Sequence, residues 1–345
     1  MSVNKRKKSG NTQRSQKTVH EDAPTTMEKR QKKKAIVSFL SITISKGVIG
    51  LRQDFVQLRR FNDFEKMKAF QTAQDDGRNR YKDVGCLDNN RVKLNAPWPH
   101  DYIHGNYVSV PSNPKRFICT QAPLEKTCAD FWFMCLQDRV EYIFMLCNFT
   151  EKQVKKCHEY YPTSKKKTLE FTEGNHKITV KYESSNKVKF SKEKDKEKIK
   201  VVVTETIISV EGPNDTSIKT VHYHWNDWPD RGCPQADMAI VELLDRARHS
   251  KGPIVVHCSA GIGRTGSVVM IEYMMDQFIN GQPIEDGDKI LVKIREQRNN
   301  SVQTEFQYLF VHEVMLNFFA YKKLFDANAL LAVKGFSDEY YRALR

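Results

Sequence analysis

The chain has 345 residues, 39 % of them hydrophobic, which is enough for one large domain with a sizeable core. Lysine and arginine outnumber aspartate and glutamate by 56 to 42, and the formal charge of +14 favours anionic partners without choosing among them. None of the eight cysteines forms a Cys-x-x-Cys pair, which argues against zinc ribbons and thioredoxin-like redox chemistry. We therefore expect neither a metal site nor a cofactor.

The N-terminal segment is strongly basic. Residues 1–34 hold eleven lysines and arginines against three acidic residues and have almost nothing apolar, so we predict a disordered tail. Its basic clusters at 5–8 and 30–34 leave nuclear localisation, nucleic-acid contact and contact with an anionic membrane surface open as alternatives. The longest apolar-leaning stretch, 35–44, is far shorter than the roughly 20 residues of a membrane-spanning helix. We therefore predict no transmembrane segment and a reducing cytoplasmic location, with the nucleus as an alternative.

Patterns typical of helices and strands alternate along the rest of the chain. Apolar residues at helical spacing predict a helix over 48–61, and residues 186–200 mix lysines with acidic residues as in an exposed loop. Residues 201–210 and 220–225 are rich in strand-forming types. Residues 222 and 224 of the latter strand are both histidines on one face, but no third ligand stands at a diagnostic spacing, so we expect a structural role.

The second half of the chain has the same alternation. Residues 254–256 form a short, wholly apolar strand, and residues 268–278 form an amphipathic helix that Gly281 closes. Alternating strands and helices predict an α/β protein with a largely covered, mixed sheet.

The most informative segment is His-Cys-Ser-Ala-Gly-Ile-Gly-Arg-Thr-Gly at residues 257–266, between the apolar strand and the helix. Its small residues let the backbone curl so that successive N–H groups point at one spot, where a dianionic phosphate can bind. Arg264 adds a charged planar fork that can grip two phosphate oxygens. Cys258 lies at the base of this loop, where the same N–H dipoles stabilise a thiolate, the nucleophilic form of cysteine.

This segment resembles the signature loop of the tyrosine-specific protein phosphatases almost letter for letter; the one departure is Ile262, where that family usually has valine. The resemblance implies a single domain with a central, highly twisted mixed sheet flanked by helices. It also implies hydrolysis of phosphotyrosine in proteins through a cysteinyl-phosphate intermediate, with Cys258 as nucleophile. The phosphate would lie against Ser259, Ala260, Gly261, Ile262, Gly263 and Arg264.

A candidate general acid stands in the sequence Trp228-Pro229-Asp230. A phosphotyrosine ester needs a proton on its leaving oxygen, and a positioned carboxylic acid can supply it. An aspartate in such a turn, taken alone, is more often a turn former than an acid. Beside the cysteine loop, the segment resembles the family's mobile acid loop. Asp230 would then act first as acid and later as base, and Trp228 would anchor the loop.

Residues 78–84, Arg-Asn-Arg-Tyr-Lys-Asp-Val, resemble the family's loop that makes the pocket deep and selects phosphotyrosine. By that match Tyr81 would stack on the substrate ring and Asp83 would accept hydrogen bonds from the substrate backbone. Arg78 replaces the usual lysine and keeps its charge, so we expect little effect.

Further positions carry over from the family in the same way. Gln303 would orient the hydrolytic water, with Gln307 in support, because residues 303–308 resemble the family's glutamine loop. By the same resemblance Glu151 would hold Arg264 in place, and Thr265 would donate a hydrogen bond to the sulfur of Cys258. His257 is expected to support the loop.

The resemblance places a catalytic domain at residues 35–325 and a C-terminal tail at 326–345. Two departures concern the scaffold beneath the pocket. Residues 104–105 are His-Gly where the family usually has Asn-Ala, and Ala122 stands where glycine is usual. These departures indicate a divergent member of the family. The resemblance implies a non-receptor-like protein whose partners are phosphotyrosine-containing proteins.

Three other classes of function are alternatives to an active tyrosine phosphatase. A catalytically weak phosphotyrosine-binding module would normally lack the cysteine, the arginine or the acid, yet Cys258, Arg264 and Asp230 are all present. Dual-specificity and phosphoinositide phosphatases usually lack the loop of Tyr81 and the Trp-Pro-Asp sequence. A nucleic-acid-binding protein would account for the basic tail but not for these loops.

Overall fold

The computed structural model describes residues 26–165, 167–191 and 201–345. Most of the expected basic tail and part of the predicted lysine-rich loop therefore lie outside the described residues. The helices in the described part are α1 (Thr26–Gln57), α2 (Lys68–Asp75), α3 (Cys128–Gln137), α4 (Ala239–Arg246), α5 (Gly263–Ile279), α6 (Gly287–Arg295), α7 (Glu305–Tyr321) and α8 (Ala327–Ala343). The strands there are β1 (Arg91–Lys93), β2 (Tyr102–Val110), β3 (Asn113–Thr120), β4 (Tyr142–Met145), β5 (Thr150–Glu151), β6 (Val154–Lys155), β7 (Thr168–Glu173), β8 (His176–Lys187), β9 (Val203–Glu211), β10 (Ser217–Trp225) and β11 (Ile254–His257).

Nine of these strands form one mixed sheet in the order β1-β2-β3-β11-β4-β10-β9-β8-β7. Strands β3, β11, β4 and β10 are mutually parallel, while the strands on either side of them are antiparallel. The four residues of β11 are all buried, as expected for a parallel strand covered on both faces. The carboxyl ends of the parallel strands meet at one edge of the sheet, where α/β folds place ligands. The predicted α/β class with a mixed sheet flanked by helices is confirmed.

The local predictions in the second half of the chain are also confirmed. The strands expected at 201–210 and 220–225 are β9 and β10, and the strand expected at 254–256 is β11. The expected helix is α5, which ends just before Gly281, a residue with a φ of +67°. Helix α5 packs against β11 and α7, so it anchors the loop that leads into it from the sheet.

Residues 26–34 begin helix α1, although the sequence predicts a disordered tail there. Ile36, Phe39 and Leu51 of this helix are buried in the domain core, and α1 packs against α7 and α8. Lysine, arginine and glutamine have good helix propensity, so the helix extends from this packed part back into the basic residues. The composition indicated a tail because the apolar anchors lie only farther along the chain.

Between Arg30 and Gln57, helix α1 is long and apolar enough, by length and composition alone, to cross a membrane. The expectation of no such segment considered only 35–44 and was too narrow. A third of the apolar window is buried inside the structure, and the backbone is kinked at Gly47, which has a φ of +57°. A helix packed on a protein core passes the same test, so length and composition do not assign α1 to a membrane.

The C-terminal segment assigned to a tail contains helix α8. Asp326 caps it by accepting a hydrogen bond from Ala329 N at 2.9 Å. Val333, Phe336 and Tyr340 are buried at spacings of three and four residues, which is the pattern of one helix face. This face packs against α1 and α7, so 327–343 form part of the packed structure.

Candidate active site

The loop between β11 and α5 curls around the sulfur of Cys258. The Cys258 side chain is almost fully buried, and Gly261 donates its N–H to the sulfur at 3.3 Å. Gly261 has a φ of +70°, and a Cβ built on it would lie 2.0 Å from the carbonyl oxygen of Thr120. Glycine is therefore required here, both for the left-handed conformation and for the close approach of β3.

Arg298 holds the outer side of this loop. Its Nε donates to the Gly261 oxygen at 3.0 Å and its Nη2 to the Ala260 oxygen at 3.2 Å. Nη1 donates to Asn106 Oδ1 at 2.8 Å, and the side chain is fully buried. Because these carbonyl groups point outward to the guanidinium, the loop's N–H groups are free to face inward. The sequence analysis did not identify Arg298. Its partner Gly261 lies 37 residues away in the chain, so no local motif marks this arginine.

Arg264, in the first turn of α5, is buried and held by an acidic partner. It makes two hydrogen bonds to Glu151, at 2.6 Å to Oε1 and 2.7 Å to Oε2. It also donates to the carbonyl oxygens of Leu146 and Trp228, at 2.6 and 3.1 Å. Burial by itself would lower the pKa of Arg264, but Glu151 and the neighbouring Cys258 outweigh it and raise that pKa. The structure thus brings Glu151 and Arg264 together as the resemblance implied.

Asp230 contacts two cations in this structure. Its Oδ1 lies 3.0 Å from Arg264 Nη2, and its Oδ2 lies 3.0 Å from Lys156 Nζ. Burial raises the pKa of Asp230, but the hydrogen bonds and charges of Lys156 and Arg264 more than offset this and leave the pKa below its ordinary value. The carboxyl group is therefore ionised in this arrangement. The sequence analysis did not identify Lys156 as the partner of Asp230. Its position directly after the β5–β6 hairpin, which contains Glu151, is only a weak indication of that role.

Trp228 anchors the segment that carries Asp230. Its side chain is buried and packs edge-on against Trp225 and Phe310. Its Nε1 donates to the Gly232 oxygen at 3.2 Å, across the turn that contains Asp230. Trp228 is thus fixed in the core, while Asp230 is partly exposed at the tip.

Tyr81 lies beside the phosphate loop, and its hydroxyl shares a hydrogen bond of 2.8 Å with Ser259 Oγ. Arg80 fixes the Tyr81 loop by donating to the carbonyl oxygens of Ala122 and Pro123, at 3.1 and 2.8 Å. Asp83 is exposed. The loop therefore stands next to the cysteine loop with its aromatic ring at the border between them.

Arg78 differs from its neighbours because its side chain is buried away from the cysteine loop. Nη1 pairs with Asp130 at 2.5 Å and Nη2 with Glu173 at 2.6 Å. Arg78 therefore links Asp130 and Glu173 through ion pairs and does not simply keep a surface charge.

Gln303 and Gln307 meet the cysteine loop from the other side. Gln303 donates its N–H to Gln307 Oε1 at 2.8 Å, and a Cβ built on Gly263 would lie 2.4 Å from Gln303 Oε1. The Gln303 side chain thus rests directly on the phosphate loop. Val302 has a φ of +60°, which is rare for a β-branched residue, and its N–H donates to the Ile262 oxygen at 2.9 Å.

The expected hydrogen bond from Thr265 to the cysteine sulfur is absent. Thr265 is fully buried in the first turn of α5, and its hydroxyl has no hydrogen-bond partner among the described residues. The sulfur accepts from the Gly261 N–H instead. An unpaired buried hydroxyl is costly, and complete burial leaves the Thr265 side chain little room to turn.

His257 lies under the loop as a neutral side chain. Its Nε2 is 2.7 Å from the Tyr160 hydroxyl, and its Nδ1 is 3.3 Å from the Cys258 oxygen. Burial lowers the pKa of His257 to about 3. The same Tyr160 hydroxyl is 2.6 Å from His222 Nε2, and His224 Nδ1 is 3.1 Å from the Tyr161 hydroxyl, so both histidines of β10 have tyrosine partners.

The two scaffold departures lie beneath this site. His104 is buried and its Nε2 is 2.8 Å from the Val84 oxygen, in the chain that follows the Tyr81 loop. The N–H of Ala122 donates to the Ser259 oxygen at 3.0 Å, so this residue supports the loop through its backbone.

The chain belongs to the protein-tyrosine phosphatase family, because the family model "Protein-tyrosine phosphatase" matches residues 75–317. Among curated proteins it is similar to rat "Receptor-type tyrosine-protein phosphatase zeta", with 32 % identity over 69 % of this chain and 10 % of that protein. It is also similar to rat "Tyrosine-protein phosphatase non-receptor type 2", with 30 % identity over 78 % of this chain and 62 % of that protein. For human "Tyrosine-protein phosphatase non-receptor type 12" the identity is 30 % over 79 % of this chain and 35 % of that protein.

These identities confirm a divergent member of an enzyme family. The chain covers about a tenth of the receptor-type relative and less than two thirds of the non-receptor type 2 relative.

Proposed function

We propose that this chain is an active protein tyrosine phosphatase that hydrolyses phosphotyrosine in proteins, with Cys258 as nucleophile and Asp230 as general acid and base. The observation that supports this most strongly is the arrangement around one sulfur atom. The Gly261 N–H points at it, Arg264 opens α5 beside it, and Asp230 lies 3.0 Å from that arginine. A thiolate, a phosphate clamp and a proton donor are the groups that the two-step reaction needs.

In the first step the Cys258 thiolate attacks phosphorus, the S–P bond forms and the bond to the tyrosyl oxygen breaks. Loop N–H groups and Arg264 hold the phosphoryl oxygens, because they are donors aimed where negative charge develops. Asp230 gives its proton to the leaving oxygen. The acid must first gain that proton, and a dianionic phosphate favours this because it competes with Asp230 for Arg264.

In the second step a water molecule attacks phosphorus, the S–P bond breaks, and inorganic phosphate and the thiolate are released. The carboxylate of Asp230 now takes a proton from that water, as the reverse of its first role. Gln303 orients the water from its position on Gly263, with Gln307 in support. The Thr265 hydroxyl makes no hydrogen bond among the described residues, so the mechanism assigns it no role in the departure of the sulfur.

Substrate selection is proposed to depend on Tyr81 and Asp83. The Tyr81 ring stands at the border of the cysteine loop, where it can stack on the ring of a phosphotyrosine. Asp83 is exposed next to it and can accept hydrogen bonds from a peptide backbone. A pocket bounded by an aromatic ring excludes the shorter phosphoserine by depth.

A second function, a catalytically weak phosphotyrosine-binding module, is favoured by one observation. Asp230 is ionised and shared between Lys156 and Arg264, so it is not a ready acid in this arrangement. A protein that kept this arrangement with substrate bound would hold phosphotyrosine and turn it over slowly.

We also propose a cytoplasmic location. All eight cysteines are free thiols, as in a reducing compartment, and two of the similar proteins carry the words "non-receptor" in their names. Nuclear localisation remains a proposal that rests on the basic cluster of the sequence.

The test is hydrolysis of a phosphotyrosyl peptide by the full chain and by Cys258→Ser. Cys233→Ser is the matched control, because Cys233 is a free cysteine outside the phosphate loop. We expect wild type and Cys233→Ser to turn over and Cys258→Ser to be inactive. Equal rates for wild type and Cys258→Ser would refute an enzyme that uses this cysteine. Peptide binding by both proteins without turnover would favour the binding module.

A further inference from the structure

A second cluster of charged side chains lies outside the phosphate loop, where the segment before β2, helix α3 and the end of β7 meet. His100 Nε2 lies 3.2 Å from Asp130 Oδ1 and 3.4 Å from Glu173 Oε1. One nitrogen and two carboxylate oxygens, all within 4.8 Å of one another, thus face a common point. Asp130 is fully buried, whereas the side chains of His100 and Glu173 are partly exposed, so the cluster lies at the edge of the core.

The ring of His100 is not satisfied by this protein. Both of its nitrogen atoms are closed off from solvent, and neither makes a hydrogen bond with the described residues. Nε2 is close to two carboxylate oxygens, yet its geometry is not that of an N–H donating to either. Ligand atoms around a tetrahedral zinc ion, with bonds of about 2.0–2.2 Å, stand roughly 3.4 Å apart. The two distances from Nε2 match that separation.

The two carboxylates are held in place by other donors. Trp98 Nε1 donates to Asp130 Oδ1 at 2.8 Å, and Arg78 donates to Asp130 Oδ2 at 2.5 Å and to Glu173 Oε1 at 2.6 Å. Carboxylates that bind metals are commonly oriented by such outer partners. Two carboxylates and one guanidinium give the cluster a net charge of −1, so a divalent cation is attracted, while Arg78 weakens its binding.

We propose that His100, Asp130 and Glu173 bind a Zn²⁺ ion, with Arg78 and Trp98 as outer partners and water at the open position. An imidazole nitrogen beside two carboxylates suits zinc, whereas Mg²⁺ and Ca²⁺ take oxygen ligands. The ion joins three segments of the chain. The ion also shares its two carboxylate ligands with Arg78, which lies three residues before Tyr81.

No sequence motif indicates this site. Zinc ligands are recognised in a sequence by short spacings, and these three are 30 and 43 residues apart. The expectation of no metal site rests on that spacing criterion, which is blind to ligands that the fold brings together.

The test is calorimetric titration of Zn²⁺ into the full chain that carries Cys258→Ser, so that the reactive thiol cannot bind the ion. We expect one Zn²⁺ per chain and no binding of Mg²⁺, because an imidazole nitrogen is a zinc ligand whereas Mg²⁺ takes oxygen ligands. His100→Gln and Glu173→Gln should each weaken binding by about tenfold or more. His249→Gln is the matched control, because His249 is exposed and distant in sequence.

Substitution of Zn²⁺ by Co²⁺ gives a second readout. Visible absorption typical of tetrahedral cobalt should appear with the parent and be lost with His100→Gln. Thermal unfolding of each variant without metal shows whether it is folded. Equal zinc affinity of the folded His100→Gln variant and the parent would overturn the proposal, as would a parent that binds no zinc.

Discussion

The Oδ2 atom of Asp230 lies 3.0 Å from Nζ of Lys156, so the candidate acid of this site is paired with a lysine 74 residues earlier in the chain. The pair helps to keep the pKa of Asp230 below its ordinary value, because the ammonium favours the charged carboxylate. Catalysis needs the protonated carboxyl group in the first step. Lys156 therefore affects the pH range in which the acid is available.

We expect Lys156→Met to raise the pKa of Asp230 in the free protein. If the protonated acid limits turnover, the high-pH limb of the kcat profile should move to higher pH. The measurement is kcat against pH with a phosphotyrosyl peptide. Lys155→Met is the control, since Lys155 is exposed and forms no ion pair with Asp230 in the structure. Superimposable profiles for all three proteins would show that Lys156 does not tune the acid.

Asp230→Ala should lower kcat by about 10²–10⁴-fold and leave peptide binding intact, because the substitution removes proton transfer and keeps the phosphate loop. Binding can be measured in the Cys258→Ser background. Asp227→Ala serves as the control, because Asp227 is exposed three residues before Asp230 and its Oδ1 accepts a hydrogen bond from the Val202 N–H at 3.2 Å. A kcat for Asp230→Ala within a factor of three of wild type would remove this residue from the mechanism.

Gly261→Ala should abolish activity, because the added Cβ would lie 2.0 Å from the Thr120 oxygen and push the loop away from the cysteine sulfur. The control is Gly77→Ala. Gly77 also has a positive φ, +64°, but no atom lies within 4 Å of a Cβ built there. We expect Gly77→Ala to cost about 1 kcal/mol of stability and leave kcat unchanged. Near-normal activity of Gly261→Ala would show that the loop does not need this contact.

Stability should fall as the pH is lowered from 6.5 towards 4. Burial lowers the pKa of His104 and His257 to about 3, and that of His224 and His312 to about 4. In the unfolded chain these groups titrate near pH 6.5, so in this window the unfolded state binds more protons than the folded state. Each such histidine contributes a slope of about 1.4 kcal/mol per pH unit. The measurement is urea unfolding at several pH values.

His104→Asn isolates one of these histidines. The substitution places the residue usual for the family at this position, and it should reduce the slope of stability against pH by about one proton. His249→Asn, at an exposed histidine, should leave the slope unchanged. Parallel curves for wild type and His104→Asn would mean that His104 is not kept neutral by the fold.

The sequence predicted the parts of the site that lie in short, continuous segments. The loop around Cys258 could be predicted from its own residues, because backbone curvature and reacting group come from neighbouring positions. The roles of Asp230 and Gln303 were predicted from the resemblance of their segments to the family. Lys156 and Arg298 were missed because their partners lie 74 and 37 residues away, and a lone lysine or arginine has no signature.

The misses in the fold have a similar cause. Composition marked residues 26–34 as a tail, but Ile36 and Phe39 dock α1 on the core and the helix runs back through the lysines. In α8, the spacing of Val333, Phe336 and Tyr340 is that of one helix face. This face is buried because α1 and α7 pack against it, and the sequence does not show that these helices come together there.

Strand β11 enters the sheet between β3 and β4, although more than a hundred residues separate it in sequence from β4. Until β11 is in place, β3 and β4 each present an unpaired inner edge, the kind of edge that invites wrong pairing. The last strand in chain order among the described residues is therefore the one that completes the sheet, and Cys258 follows directly at its carboxyl end. A chain truncated before β11 would therefore lose the nucleophile and the centre of the sheet together.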